Sequence, residues 1–212
     1  MPRAKTNAAG VSLLYRQRCE ACRCNARVLC VRCRAQLFAM VQPECDGALV
    51  AVAYEGIARR LILNLKYRNR RQVVGVLAEL LAQRIQRQVP DSAIDFDVVT
   101  WAPTSTARLR RRGHDQSELL ARRLAREIGV PCKRLLIKVS HNVQTGASRE
   151  LRLRGSVFSA RNPGVNRHVM VVDDVVTTGT TLRCAADALR TAGARKVTCV
   201  AVASALRYDH RR

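Results

Sequence analysis

The chain has 212 residues, 48% of them hydrophobic, and a formal net charge of +22. That length supports one ordinary domain with a proper core plus a small appendage, and that apolar content excludes a disordered tail. Its 38 basic residues, 33 of them Arg, face only 16 acidic ones, so the chain concentrates polyanions around itself, whether nucleic acid or phosphorylated metabolites.

Met1–Gly10 carries charge but no apolar stretch and does not read as a signal peptide. No apolar run approaches the ~18–20 residues of a spanning helix. The expectation is a cytoplasmic protein with no membrane partner. In a reducing cytosol its nine cysteines are not expected to form disulfides. Five lie between Cys19 and Cys33, and Cys45 is a sixth. Cys19-x-x-Cys22 and Cys30-x-x-Cys33 form two knuckles with seven residues between them. Each turn aims two thiolates at one ion, and two turns complete a tetrahedron. Zinc suits four sulfurs, and a segment too short to build a core takes its folding energy from the metal.

The spacing therefore predicts a zinc-ribbon-like unit over residues 1–48, with a structural Zn2+ on Cys19, Cys22, Cys30 and Cys33, and a second domain over 49–212. Cys24 is an extra ligand candidate that could replace Cys22. Arg16, Arg18, Arg23, Arg27, Arg32 and Arg34 surround these cysteines and would meet phosphates. Only Tyr15 and Phe38 interleave with them, so base stacking has thin support. Cys132, Cys184 and Cys199 sit in apolar segments and read as small buried hydrophobes.

Beyond residue 48, helix-like and strand-like periods alternate. Leu49–Tyr54 reads as a strand and Ile57–Tyr67 as a short amphipathic helix, with Ile57, Leu61 and Leu65 one turn apart. Arg68–Gln72 is a basic turn, Val73–Val89 a helix, and Phe96–Ala102 a buried strand ended by Pro103. Pro103–Gln116 reads as a loop rich in Arg. Ser117–Ile128 is a helix closed by Gly129. Residues 138–156 have no apolar period and read as a flap. Val169–Val172 is a strand, Leu182–Ala192 a helix and Val197–Ala203 a strand. This alternation predicts an α/β fold with a mainly parallel sheet covered on both faces.

The informative segment is Val169–Thr181. Four apolar residues are followed by Asp173 and Asp174, then Val175, Val176, Thr177, Thr178, Gly179, Thr180 and Thr181. In open α/β sheets, ligands bind beyond the carboxyl ends of the strands. Gly179 allows a turn with φ > 0 and a close backbone approach. The Thr hydroxyls and the N–H groups opening the next helix suit a phosphate. The two carboxylates can accept from vicinal hydroxyls or hold a divalent cation through water. An ordinary helix cap needs one acid and one Thr; two acids and four Thr around a Gly exceed it. A Walker loop is excluded, because no Gly-Lys-Thr is present. Arg108, Arg110, Arg111 and Arg112 follow the neighbouring strand and could offer bidentate contacts to pyrophosphate.

The segment resembles the phosphoribosyl-pyrophosphate signature of type I phosphoribosyltransferases, an apolar strand, Asp-Asp, two variable residues and Thr-Thr-Gly-x-Thr. The resemblance implies that Asp173 and Asp174 hold the ribose hydroxyls and the Mg2+ environment in the catalytic site. It implies that Thr177–Thr181 binds the 5-phosphate, with Val175 and Val176 also in the substrate site, and a type I phosphoribosyltransferase fold follows behind the zinc ribbon. Tyr54-Glu55-Gly56, Leu61-Ile62 and Leu65-Lys66-Tyr67 further resemble the ComF family of competence-associated, phosphoribosyltransferase-like proteins. So do Ala102-Pro103, the stretch from Arg108 through Arg111 and Arg112-Gly113-His114-Asp115-Gln116, and the later Gln144 and Arg152. The chain departs from that family where His114-Asp115 replaces Phe-Asn, and where Gly155 stands near an expected Asn.

Two functions follow from the resemblance. The first is a glycosyl-transfer enzyme that binds phosphoribosyl pyrophosphate with Mg2+ through Asp173, Asp174, Val175–Thr181, Arg108 and Arg112. It would move ribose 5-phosphate to an acceptor and release pyrophosphate. The alternative is a non-catalytic DNA-handling factor, for which nucleic acid is the partner and phosphoribosyl pyrophosphate or a nucleotide is a regulatory ligand.

Overall fold

The computed structural model describes residues 17–40, 45, 47–88, 96–139 and 158–205. In chain order the elements are α1 (Val31–Phe38), β1 (Leu49–Ala53), α2 (Gly56–Arg68), a 3-10 turn (Arg71–Val73), α3 (Val74–Gln88), β2 (Val98–Trp101), α4 (Thr106–Arg112) and α5 (Gln116–Glu127). They continue with β3 (Leu136–Lys138), β4 (Phe158–Ala160), β5 (His168–Val176), α6 (Thr180–Thr191) and β6 (Lys196–Ser204).

The main sheet has the order β1-β6-β5-β2, and every pairing in it is parallel. Parallel strands need crossovers, so helices cover both faces and the strands read as unbroken apolar runs. The pleat sorts them: Met170 and Val172 of β5 face one core, and Val169 and Val171 face the other. The first core is closed by α2, α3 and α5 through Leu61, Leu65, Leu77, Leu81, Leu120 and Leu124. The second is closed by α6 through Leu182 and Leu189, and by the β3–β4 pair through Leu136 and Phe158. Leu37 of α1 belongs to the first core, and Cys19, Ala21 and Cys33 form a small cluster with Ile57 at its edge.

Three elements differ from the expectation. The β5 strand does not stop at Val172 but carries both carboxylates, because β6 runs beside it and pairs as far as Val176 with Ser204. The Arg-rich stretch after β2 is not a loop throughout. Ser105 caps α4 by accepting from the Arg108 N–H at 3.4 Å, and Gly113 ends it at φ +72°. Lys138 closes β3 opposite Phe158 of β4 instead of opening a flap. Residues 140–156 of that predicted flap, with Gln144, Arg152 and Gly155, lie outside the described residues, as do Tyr15 and Arg16. Cys199 is buried as expected, whereas Cys132 and Cys184 are only half-buried. No helix among the described residues is long and apolar enough to cross a membrane.

Candidate functional site

A cleft of about 370 Å³ opens at the carboxyl ends of the main sheet. Tyr54 follows β1 into it, Ala102 and Pro103 follow β2, and Ala205 follows β6. Asp173, Asp174 and Val175 enter from β5, and Thr177 and Thr181 from the turn beyond it. The cleft is thus built by the sheet rather than by any one loop. A larger groove of about 490 Å³ runs along the junction of the cysteine segment and α2. It holds Arg23, Arg60, Arg68 and Tyr67 but neither carboxylate of the pair.

The two aspartates are held by different neighbours. Asp173 Oδ1 accepts from Ser117 Oγ and from the Asp174 N–H, each at 2.8 Å. Asp174 Oδ1 lies 2.8 Å from Lys66 Nζ, and both side chains are largely buried. Part of Asp173 reaches the surface of the cleft, but its carboxyl is packed round by protein, and that burial pushes its pKa up to about 7. The Asp174 charge adds to the rise, while the Ser117 and Asp174 donors and the Lys66 charge restrain it. Near neutral pH Asp173 therefore holds part of its proton, and an ammonium lies beside its neighbour.

Beyond β5 the chain turns through Thr177–Thr180. Gly179 stands at φ +73°, in the left-handed region, immediately before α6. Gly179 has no side chain to cap this helix; the Thr180 N–H is accepted by Thr178 Oγ1 at 3.5 Å, and the positive dipole end of the helix lies beside Thr181, which lines the cleft. Thr178 and Thr180 hydroxyls pair at 3.0 Å, and Arg183 Nη2 donates to Thr180 Oγ1 at 3.1 Å. The turn carries the donor set of an anion site. The Val176 side chain is packed in the second core, so that residue can meet a ligand only through its main chain.

The opposite wall is basic. Arg108 and Arg112 of α4 line the cleft, with Lys138 of β3, whereas Arg110 and Arg111 are exposed and do not line it. Arg112 Nη1 donates to Gln116 Oε1 at 2.8 Å, and its guanidinium lies 5.1 Å from the Tyr67 ring centre. Burial lowers the pKa of Lys138, and the nearby Arg108 charge lowers it further. Asp115 fixes the junction between α4 and α5. It accepts from the Thr104 N–H at 2.9 Å and the Ser117 N–H at 3.1 Å, so it places Ser117 against Asp173. Burial pushes its carboxyl up against the pull of those donors.

The second candidate site is the thiol cluster. Sulfurs of Cys19, Cys22, Cys24 and Cys30 all lie within 4.8 Å of one another, and the Cys33 thiol interacts with those of Cys22, Cys30 and Cys19. Three of the four predicted ligands, Cys19, Cys22 and Cys30, therefore converge with Cys24, and Cys33 stands beside that group rather than within it. Burial alone would raise the Cys19 thiol, but N–H donors from Cys22, Cys30 and Ala21 bring it down to about 6. The Cys33 N–H likewise lowers Cys30. Sulfhydryl bonds to Cys22 and Cys30 push Cys24 up to about 12, and burial first, then the neighbouring thiols, does the same to Cys33. Sulfur donors in this number, some already drawn toward thiolate, fit a structural Zn2+.

Of the residues expected from the sequence, Asp173, Asp174, Val175, Thr177, Thr181, Arg108 and Arg112 line one cleft, whereas Val176, Thr178, Gly179 and Thr180 do not. Sequence reasoning missed Ser117 and Lys138, and it met Lys66 only as part of a family pattern.

Comparison with known proteins fixes the class first. Residues 114–211 match the family described as Phosphoribosyl transferase domain, and the parallel sheet with flanking helices behind a four-cysteine cluster is a type I phosphoribosyltransferase fold with an N-terminal zinc-ribbon-like segment. DNA utilization protein YhgH of Salmonella typhimurium is 31% identical over 142 residues, which cover 65% of this chain and 63% of that protein. The same-named protein of Escherichia coli K12 is 30% identical over 155 residues, or 70% of this chain and 68% of that one. Competence protein F of Haemophilus influenzae is 29% identical over 170 residues, covering 74% and 72%. Among solved structures, glutamine phosphoribosylpyrophosphate amidotransferase from B. subtilis superposes with a TM-score of 0.46 and 28% identity over 66% of this chain and 30% of that one. The chain belongs to the ComF family of phosphoribosyltransferase-domain proteins.

Proposed function

We propose that the cleft binds phosphoribosyl pyrophosphate with Mg2+ and transfers its ribose 5-phosphate to an acceptor. The observation that carries this reading is the Asp173–Asp174 pair at the end of a central parallel strand, set against a helix opened by a Thr-rich turn. The Oδ1 atoms of the pair are taken by Ser117, Lys66 and a main-chain N–H, and the Oδ2 atoms are assigned to the ribose hydroxyls. The N–H groups of Gly179–Thr181 with the Thr177 and Thr181 hydroxyls take the 5-phosphate. Arg108, Arg112 and Lys138 face the pyrophosphate and stabilise it as it leaves. The free oxygens of Asp174 and a partly ionised Asp173 are a hard-oxygen donor set that fits Mg2+ through water, and the metal would offset pyrophosphate charge. Residues 49–212 are proposed as the domain that does this, and residues 1–48 as the unit that carries Zn2+.

Calorimetric titration with phosphoribosyl pyrophosphate and Mg2+ tests the assignment. The wild type binds, and the Asp173→Asn, Asp174→Asn double variant loses at least about 100-fold in affinity, since each charge-assisted bond is worth roughly 1.5–3 kcal/mol. Equal affinity for both proteins refutes it.

A second reading is favoured by the +22 charge and by the names of the relatives, a competence protein and DNA utilization proteins. In it the chain handles single-stranded DNA, with exposed Arg18, Arg23, Arg27 and Arg32 on the cysteine segment meeting the phosphates. Such binding must weaken steeply with salt, with a log–log slope near −0.7 per phosphate contacted; a flat dependence removes this reading.

A further inference from the structure

Four consecutive residues of α2 each hold a different part of the molecule. Asn64 Nδ2 donates to Glu20 Oε2 at 3.0 Å and to the Glu20 carbonyl at 3.1 Å. The Leu65 carbonyl meets His114 Nε2 at 3.0 Å. Lys66 pairs with Asp174 at 2.8 Å. The Tyr67 hydroxyl meets Arg112 Nη2 at 3.4 Å. The ties of Lys66 and Tyr67 reach Asp174 and Arg112, which line the cleft, that of Leu65 reaches the turn leading to α5, and that of Asn64 reaches back to the cysteine segment.

Glu20 sits between Cys19 and Cys22 and is only 4% exposed. A buried carboxylate is costly unless its oxygens are satisfied. Here one oxygen takes Asn64 and the other takes Gln72 Nε2 at 2.6 Å, with Arg70 Nε 3.8 Å away. Arg60 Nη1 adds a bond to the Ala21 carbonyl at 3.0 Å. A surface appendage needs none of this. The bonds fix α2 in rotation and translation, and Lys66 lies just two residues along a rigid helix from Asn64. A small slip of α2 would pull the ammonium off Asp174.

We propose that Glu20 is a positioning residue for the cleft: clamped to the cysteine knuckle, it holds α2 so that Lys66 stays against Asp174 and the acidic pair is ready for ligand. Its binding consequence rests on the reading of the cleft given above, whereas its structural consequence does not.

The test uses the full, zinc-loaded chain. In Glu20→Ala, zinc content stays at the wild-type level, because no thiol is removed. Lys66 becomes more reactive toward an amine-acylating reagent, read by peptide mapping with Lys133 and Lys196 as internal references. Affinity for phosphoribosyl pyrophosphate with Mg2+ falls at least about fivefold, the lower end of ordinary site-to-site coupling. Glu20→Gln restores both readouts, because the Gln72 amide can turn to present its oxygen. In a Lys66→Met background Glu20→Ala changes affinity less than about twofold, since the path is already cut. Unchanged Lys66 reactivity in folded Glu20→Ala overturns the proposal, as does an undiminished effect of Glu20→Ala on Lys66→Met. If the wild type binds no phosphoribosyl pyrophosphate, the reading of the cleft falls and Lys66 reactivity alone decides this one.

Discussion

The cleft and the cysteine knuckle manage ionisable groups in opposite ways. At the cleft two carboxylates are crowded into the end of a buried strand, and burial pushes Asp173 up to about 7. At the knuckle a thiol that burial would raise is instead drawn down to about 6, because three main-chain N–H groups converge on Cys19. Local backbone explains the contrast. A strand spends its N–H groups on its neighbours, so β5 has one left for Asp173, that of Asp174. A tight turn points several inward at once. The knuckle is therefore prepared for a cation by its own backbone, and the cleft depends on side chains brought from α2 and α5.

Removing a sulfur should produce the largest effect. Cys19→Ser removes the ligand best prepared by the backbone, and structural zinc contributes about 10–16 kcal/mol in small zinc-binding peptides. Metal analysis should find the bound zinc lost, and hydrogen exchange should show the amides of residues 17–38 unprotected while β5 and β6 keep theirs. Retained zinc would show that Cys24 and Cys33 suffice to replace it.

Asp173→Asn comes next and should stabilise the fold while weakening the site. Asp173 holds its proton more tightly in the folded chain than at its ordinary value of 3.8. Its contribution to stability is therefore present at acid pH and lost as pH rises through about 7. At pH 8 the variant should melt at least about 2–4 °C above the wild type, the shift that about 1 kcal/mol gives in a chain of this size. At pH 4 the two should coincide. A variant less stable than wild type at pH 8 would show that the Ser117 bond and the Lys66 charge outweigh burial.

Gly179→Ala should cost about 1 kcal/mol, because an L-residue is strained at φ +73°. The added Cβ would lie 3.0 Å from Arg183 Nη1, the movable end of a long side chain, so strain rather than collision sets the cost. Calorimetry should show weaker binding of inorganic phosphate as the turn reshapes. The smallest effect belongs to Arg34→Ala. Its pair with Glu79 and its stacking on Phe38 are both substantially exposed, and such contacts contribute about 0–1 kcal/mol. A loss well beyond that in denaturant melts would mean that α1 is held to α3 chiefly by this pair.

The two sites were legible in the sequence to different depths. Asp173–Thr181 was readable because strand, acid pair, turn and helix start are contiguous, and each residue type has a local reason to be there. Ser117, Lys66 and Lys138 were not, since they come from other elements, 56 residues away in the case of Ser117, and only the sheet order brings them to the acid pair. The α4 helix was hidden by its shortness and its run of Arg, although Ser105 and Gly113 mark its ends once both are read as caps. At the knuckle the Cys-x-x-Cys spacing marked Cys19, Cys22 and Cys30, but it named Cys33 where Cys24 completes the convergent group. The place of Cys24 depended on Arg23 standing at φ +68°, a backbone choice that spacing does not encode.

The most direct measurement is a crystal structure of the zinc-loaded protein soaked with phosphoribosyl pyrophosphate and Mg2+. The 5-phosphate should lie against the N–H groups of Gly179–Thr181 and the ribose hydroxyls on Asp173 and Asp174. Phosphate density confined to the Arg23–Arg60 groove, with the cleft empty, would contradict that placement.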